Sequence, residues 1–486
     1  MPKLVVLWTD AALWALVLVI AAYAISVRRS PNAIATWRRV FRDGPALAAA
    51  VVLAACLALA LLDSVHFRAL LAPESEAAME AAYDTRTSSL LDAALASLAE
   101  SRETTYSRPF AYESFTKESV DVGGRTERVA PRLAFGGAHL RDPATQWGGD
   151  VARRVAAGLA LGSAATALLA ALAALRVARQ QRARFGEALL GIWRGETELP
   201  WRAALGATLA VCLIAGVTAA CAGEYHVLGT DITGNDVEYQ ALKSIRTAFV
   251  IGSLATLATL PLAVGLGLMA GYFQGWVDDA IQYFYTVLAS VPNILLIAAC
   301  VLMVQVFLDQ HEELFETGLE RGDLKLFLLC VVLGLTGWSG LCRLLRGETL
   351  KLRELEYVQA AQAFGVSSAR IMARHLFPNV AHLVLITTVL EFSTLILYEV
   401  VLSYVGVGVD PSMNSFGGMI NLARSELARD PVVWWPIGSA FVFMVSLVFA
   451  ANVFADGVRD AFDPRARAFR PRVLTRRAVP TAAQGR

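Results

Sequence analysis

The chain has 486 residues, of which 56% are hydrophobic and only 17% charged, and its mean hydropathy is +0.51. A soluble enzyme or soluble binding module carries more charge and cannot hide that much apolar surface, so both are excluded. The formal net charge of +1 provides no global field of the kind that gathers nucleic acid.

Runs of about 20 apolar residues are long enough to cross a hydrocarbon core as helices, and only helices pair every backbone amide within the segment. Nine such spans are predicted, near 9–27, 45–62, 155–175, 203–222, 247–270, 279–307, 324–342, 379–403 and 432–454. The first ends in Ala22-Tyr23-Ala24, a small-residue pattern that a signal peptidase could cleave, but Arg28 and Arg29 come directly after it, as in a stop-transfer anchor. Arg28, Arg29, Arg38, Arg39 and Arg42 fill the next loop, and the second span closes a first pair of helices over 1–62.

Residues 63–150 form the largest polar stretch. Ser75 to Glu100 is rich in Ala and Leu and reads as helix, and Gly123-Gly124 and Gly136-Gly137 punctuate the remainder of the stretch. The third span and a basic loop occupy 151–202, with Arg176, Arg179, Arg182, Arg184, Arg194 and Arg202. Arg465, Arg467, Arg470, Arg472, Arg476 and Arg477 crowd the tail around 468–486. The positive-inside rule places these basic regions in the cytoplasm, leaving 63–150 and the N-terminus outside. A short echo links His139–Thr166 (G-G-D-V, then G-S-A-A-T) to His226–Thr256 (G-N-D-V, then G-S-L-A-T). The spacing differs between the two, which favours coincidence over a true repeat. The six cysteines lie in or at the ends of apolar runs without a Cys-x-x-Cys pair, so neither a disulfide framework nor a metal site is expected.

The stretch between the seventh and eighth spans, Glu356 to Asn379, carries the most information. Tyr357, Ala360, Ala361 and Phe364 stand at i, i+3, i+4 and i+7 of an amphipathic helix, with the alanines allowing close approach of another surface. Gly365 is a helix stop; Ser367 or Ser368 can cap a second short helix over 369–376, which Pro378 is expected to end. By pattern alone, such a helix could equally rest on lipid headgroups.

The spelling, Gln359-Ala360-Ala361, then Gly365, then Leu376-Phe377-Pro378, resembles the EAA loop of binding-protein-dependent ABC importer permeases. G-L-T-G-W-S-G-L-C-R-L-L-R-G (Gly334–Gly347) matches the lead-in to that loop. Four further segments resemble the C-type permeases of dipeptide, oligopeptide and nickel importers: L-G-T-D-I-T-G-N-D-V (Leu228–Val237), A-G-Y-F-Q-G-W-V-D (Ala270–Asp278), E-V-V-L-S-Y-V-G-V-G-V (Glu399–Val409) and A-D-G-V-R-D-A-F-D-P-R (Ala455–Arg465). The resemblance covers 203–467 and implies an all-α type I ABC importer permease core of about six transmembrane helices, preceded by about three extra helices forming a dispensable accessory module.

It further implies that Glu356, Tyr357, Gln359, Ala360, Ala361, Phe364, Gly365, Arg374 and Pro378 couple the chain to two separate ATP-binding subunits, where ATP and Mg would reside. The remaining implied partners are a second homologous permease, an extracytoplasmic solute-binding protein and the lipid of a bacterial inner membrane. Gly229, Asp231, Gly234 and Asp236 form the family's external motif. Three positions depart from the pattern: Gln359 stands for an acidic residue, Asn235 for an arginine, and Glu391 for an apolar residue or glycine. No lysine comes directly after a glycine, so a P-loop is absent from this sequence.

Two carboxylates at membrane depth, Glu391 and Glu399, supply a rival reading as a proton-coupled secondary transporter. An enzyme is disfavoured. His311-Glu312 opens H-E-x-x-H, but Phe315 takes the second histidine's place, and His375 falls inside the EAA-like loop.

Overall fold

The computed structural model describes residues 3–70, 83–122, 125–315 and 317–462. The basic tail beyond 462, Gly123-Gly124 and the first part of the stretch expected to be helical lie outside the described residues.

Strand β1 (Lys3–Val5) precedes α1 (Trp8–Arg29), α2 (Pro31–Arg42) and α3 (Gly44–Asp63). Asp43 starts α3 by accepting from the Ala46 amide at 3.1 Å. Next come β2 (His66–Leu70), β3 (Tyr83–Ser89), α4 (Leu90–Ala94), α5 (Ala96–Glu100), β4 (Glu118–Val122) and β5 (Arg125–Val129). The first three strands form one antiparallel sheet and the last two a hairpin. The helix expected from Ser75 to Glu100 is therefore partly strand. Tyr83–Ser89 pairs with β2, and Ser89 opens α4 with a reciprocal capping box to Asp92.

Helices α6 (Pro143–Gln181), α7 (Phe185–Arg194), α8 (Trp201–Cys221) and α9 (Val237–Phe273) come next in the chain. The 39-residue α6 is about 58 Å long at the helical rise, well beyond a hydrocarbon core. It crosses α8 at contact distance of the backbones: a Cβ on Gly162 would lie 2.3 Å from the Cys212 carbonyl oxygen, and one on Gly158 2.6 Å from the Val217 Cα. Small residues four apart are what permit such a crossing.

The remaining helices are α10 (Gly275–Ser290), α11 (Asn293–Gln310), α12 (Gly318–Gly337), α13 (Ser339–Arg353), α14 (Glu356–Ala363), α15 (Ser368–Ile371), α16 (Phe377–Val405), α17 (Phe416–Ala423) and α18 (Trp435–Phe462). Among the described residues, eight helices are long and apolar enough to span a membrane; the α12–α13 pair, bent by 41°, makes a ninth. The span expected over 279–307 is broken. Pro292 has no N–H to donate and keeps Val291 extended, so the chain leaves α10 and restarts as α11.

One end of the bundle gathers the arginine-rich loops and the 354–379 loop; Trp37 meets Phe462 there at 5.4 Å between centroids. The opposite end carries the described residues between 63 and 142. At that end α1 enters the heart of the bundle. Arg246 of α9 is 4% exposed and donates to Asp10 at 2.6 Å and to Thr9 at 2.9 Å. Asp323 of α12 accepts from the Thr9 amide at 3.0 Å, and His66 closes on Asp10 at 2.8 Å. Helix α3 adds Leu53, Cys56 and Leu59 to the core built around α9, α16 and α18. The extra N-terminal helices are thus packed into the bundle rather than laid beside it, because Asp10 supplies a counter-charge to a buried arginine.

The His139/His226 echo has a structural counterpart. His139 pairs with Asp150 at 2.7 Å and His226 with Asp236 at 2.8 Å. Thr166 and Thr256 each donate back to the carbonyl of the glycine four residues earlier. The lead-ins differ: Asp236 caps α9, whereas Asp150 lies inside α6.

Candidate functional site: the 354–379 loop, the motif at the opposite end and the two carboxylates

The buried residue of α14 is Val358. Val358 is 0% exposed and joins Leu268, Tyr272, Ile281, Leu345, Ile371 and Leu376 in a single apolar cluster. The helix ends in a Schellman motif: the Gly365 amide donates to Gln362 O at 2.9 Å and the Val366 amide to Ala361 O at 3.1 Å. Gly365 takes φ +73 there, a left-handed conformation that a Cβ disfavours.

Because α14 turns 100° per residue, the predicted face divides. Tyr357, Ala360 and Phe364 point outward, Phe364 at 87% exposure. Ala361, three residues beyond Val358, is half-buried and packs with Val366 against the cluster. Only one of the two alanines is therefore open to a partner. Glu356, Gln359 and Arg374 are exposed, and Gln359 donates to Glu354 O at 3.2 Å.

Pro378 does not end the second short helix. Residues Met372–Leu376 form a π turn that feeds directly into α16, where Pro378 sits in the first turn. An N–H missing from that position costs nothing, which is why proline is tolerated there. Asn379 ties this joint back to α14 by donating to the Tyr357 hydroxyl at 3.1 Å. Ile371 and Leu376, both 0% exposed, seat the π turn on the same cluster as Val358. Beneath it, Arg346 of α13 holds Asp278 of α10 through two bonds of 2.5 and 2.7 Å. The loop thus packs against α9, α10, α13 and α16 through one apolar cluster.

At the opposite end, Gly229, Asp231, Gly234 and Asp236 build a closed turn rather than an open surface. One Asp231 carboxylate oxygen accepts from the amides of Thr233 and Asn235, and the other from Gln240 at 2.6 Å. A Cβ on Gly229 would lie 2.4 Å from the Ser107 carbonyl oxygen, and Gly234 is pressed against the Glu103 backbone. Asn235 is absorbed locally, donating to Thr233 at 2.7 Å. What sequence reading missed is the partner of this turn. Glu103 accepts from the amides of Ala134, Phe135 and Gly136 and faces His226 at 3.4 Å, while His226 holds Asp236 at 2.8 Å. Nothing in the spacing of Glu103 announces that contact.

This buried chain sets a pH dependence. Burial alone would lower the His226 value, but the Asp236 and Glu103 carboxylates override it and push the imidazole from 6.5 up to about 9. For Glu103, burial is outweighed by His226 and the three amides, holding the carboxyl down at about 2. His226 is raised on folding, so its contribution is complete below about pH 6.5 and lost as pH rises through 9; that of Glu103 is complete above about pH 4.5 and lost as pH falls through 2. The expected result is a loss on the order of 3 kcal/mol between pH 6.5 and 9. Thermal unfolding of the detergent-solubilised protein should show it, and His226→Gln should flatten that limb; an unchanged slope in the variant would assign the loss elsewhere.

The two carboxylates part company. Glu399 is 1% exposed, accepts from Ser403 at 2.7 Å and is also bonded to Ser415 and the Gly417 amide. It fastens α16 to α17. Glu391 lines an open cavity beside the α10–α11 break and shares no hydrogen bond with that cluster.

The profile of the family described as "Binding-protein-dependent transport system inner membrane component" matches residues 263–468. The chain is 32% identical over 248 residues to the oligopeptide transport system permease protein of Mycobacterium tuberculosis, covering 51% of this chain and 79% of that protein. It is 31% identical to the oligopeptide permease of Haemophilus influenzae (50% and 71% covered). To the glutathione transport system permease of Pectobacterium atrosepticum it is 30% identical (49% and 73%). A solved inward-facing structure of the MetNI methionine ABC transporter aligns over 46% of this chain and 93% of that one. The TM-score of that alignment is 0.32 and the identity 16%.

Proposed function

The chain belongs to the binding-protein-dependent transport permeases of the oligopeptide and dipeptide type, and from that premise we propose that it forms half of an ATP-driven solute pathway coupled through α14 to separate ATPase subunits. The observation that carries this reading is the loop itself: an exposed Tyr357–Ala360–Phe364 face standing on a rigid Val358–Ile371–Leu376 base. A helix that only rested on headgroups would have no use for a π-turn joint continuous with α16. ATP and Mg would sit in the partner chains, a second permease beside this one, and a solute-binding protein over the end carrying residues 63–142. Peptides are the solute class that the relatives' names support. Membership in an importer family, together with the satisfied surroundings of Glu399, does not favour proton-coupled secondary transport.

An ATPase can dock on this loop only from the cytoplasm, so orientation tests the reading. Cysteines introduced at exposed Thr104 and Ala363 should respond oppositely to a membrane-impermeant maleimide on intact cells. Position 104 should be labelled, and position 363 only after permeabilisation. Labelling of 363 from outside would overturn the proposed function.

A further inference from the structure

Glu391 has no counterpart in the family pattern and no role in the coupling loop. It lies near the middle of the 29-residue α16, half-buried, and it is bonded to no other described residue. It lines an open cavity of about 540 Å³ bounded by the α10–α11 break, the α12–α13 bend, α9 and α16. No lysine or arginine among the described residues lines that cavity.

Three of the hydroxyls around it have already committed their protons. Thr259 donates to Ala255 O at 2.9 Å, Ser290 to Val287 O at 2.7 Å and Thr336 to Val332 O at 2.9 Å. A hydroxyl whose proton is held by its own helix offers only oxygen lone pairs to whatever enters. Glu391 and these three hydroxyls, in a lining that also holds Asn293, Ser339 and Tyr398, make a part of the cavity that rewards donors and positive charge. Its volume suits an organic group rather than a bare metal ion, which would need several oxygens within about 2.5 Å of one point. Intramembrane carboxylates facing a cavity mark solute pathways by default.

We propose that Glu391 and the hydroxyls of Thr259, Ser290 and Thr336 form a transit site for a cationic group of the solute, an ammonium or guanidinium. This rests on the permease reading above. In the pathway the site would favour solutes carrying a basic side chain over neutral ones of the same length.

The test uses the complete importer with its binding protein in proteoliposomes, with trilysine and trialanine as probes. Glu391→Gln should lower ATP-driven trilysine uptake at least tenfold while trialanine uptake stays within about twofold, and Glu391→Asp should recover part of the loss. Equal loss for both peptides, or loss for neither, overturns the proposal. A second readout needs no transport. Thr394→Cys on the same cavity should react faster with a cationic methanethiosulfonate than with an anionic one, read by mass spectrometry of the peptide carrying position 394. That preference should fall at least fivefold when Glu391→Gln is added; an unchanged preference refutes the site even if transport fails for other reasons. Absent ATP-driven uptake in the wild type together with an intact reagent preference would count against the importer reading alone.

Discussion

Ala360→Arg is expected to abolish ATP-driven uptake while leaving the amount of protein in the membrane unchanged. Ala360 is exposed on the same side of α14 as Tyr357 and Phe364, while the opposite side is fixed by Val358. Arginine is nearly as good a helix former as alanine, so α14 itself should survive. In a docked complex the new guanidinium would be pressed into a contact shaped for a methyl group. An unpaired charge there costs about 3 kcal/mol or more, roughly a hundredfold in affinity. Ala361, also small, is a poorer probe because it packs against the apolar cluster, and a large residue there would disturb the fold as well. Were α14 merely an interfacial helix, an added arginine would strengthen its hold on anionic lipid and leave uptake intact.

Arg246→Met is expected to destabilise the protein by about 3–5 kcal/mol, because removing one partner of a buried ionic group strands the others. Asp10 and Asp323 both face Arg246, at 2.6 and 3.6 Å. Asp10 would keep His66 and Asp323 would keep Thr9, but neither would retain its arginine. Thermal unfolding in detergent should show the loss, and α1 should become more accessible to protease. Adding Asp10→Leu to Arg246→Met should restore part of the stability by removing a stranded charge. A single variant that melts with the wild type would mean that α1 is held by apolar contacts alone.

How much of this could be read from sequence depends on how local the determinant is. Span length and the helix stop at Gly365 are short-range properties, and the residues state them directly. The π turn was hidden because Met372–Leu376 has no distinctive composition, and proline in a first helical turn spells the same as proline after a last one. The break at Val291-Pro292 was legible in principle, but it was hidden inside a run apolar enough to look continuous. Long-range pairings left no trace. Neither Asp10 with Arg246, separated by 236 positions, nor Glu103 with His226, separated by 123, could be inferred from periodicity. Both pairings draw the N-terminal part of the chain against helices of the family core. Glu391 was conspicuous as a departure from pattern, yet which hydroxyls of the cavity around it act as acceptors depends on where their protons point.

The most direct measurement of the central claim is co-purification from detergent. The full chain and its ATPase subunits would be expressed together, with wild type beside Ala360→Arg and the ATPase recovered per permease quantified. Stoichiometric recovery is expected with the wild type and at least a tenfold loss with the variant, at equal permease yield. Equal recovery from both, with full uptake, would contradict the assignment of α14 as the point where ATP hydrolysis meets the pathway.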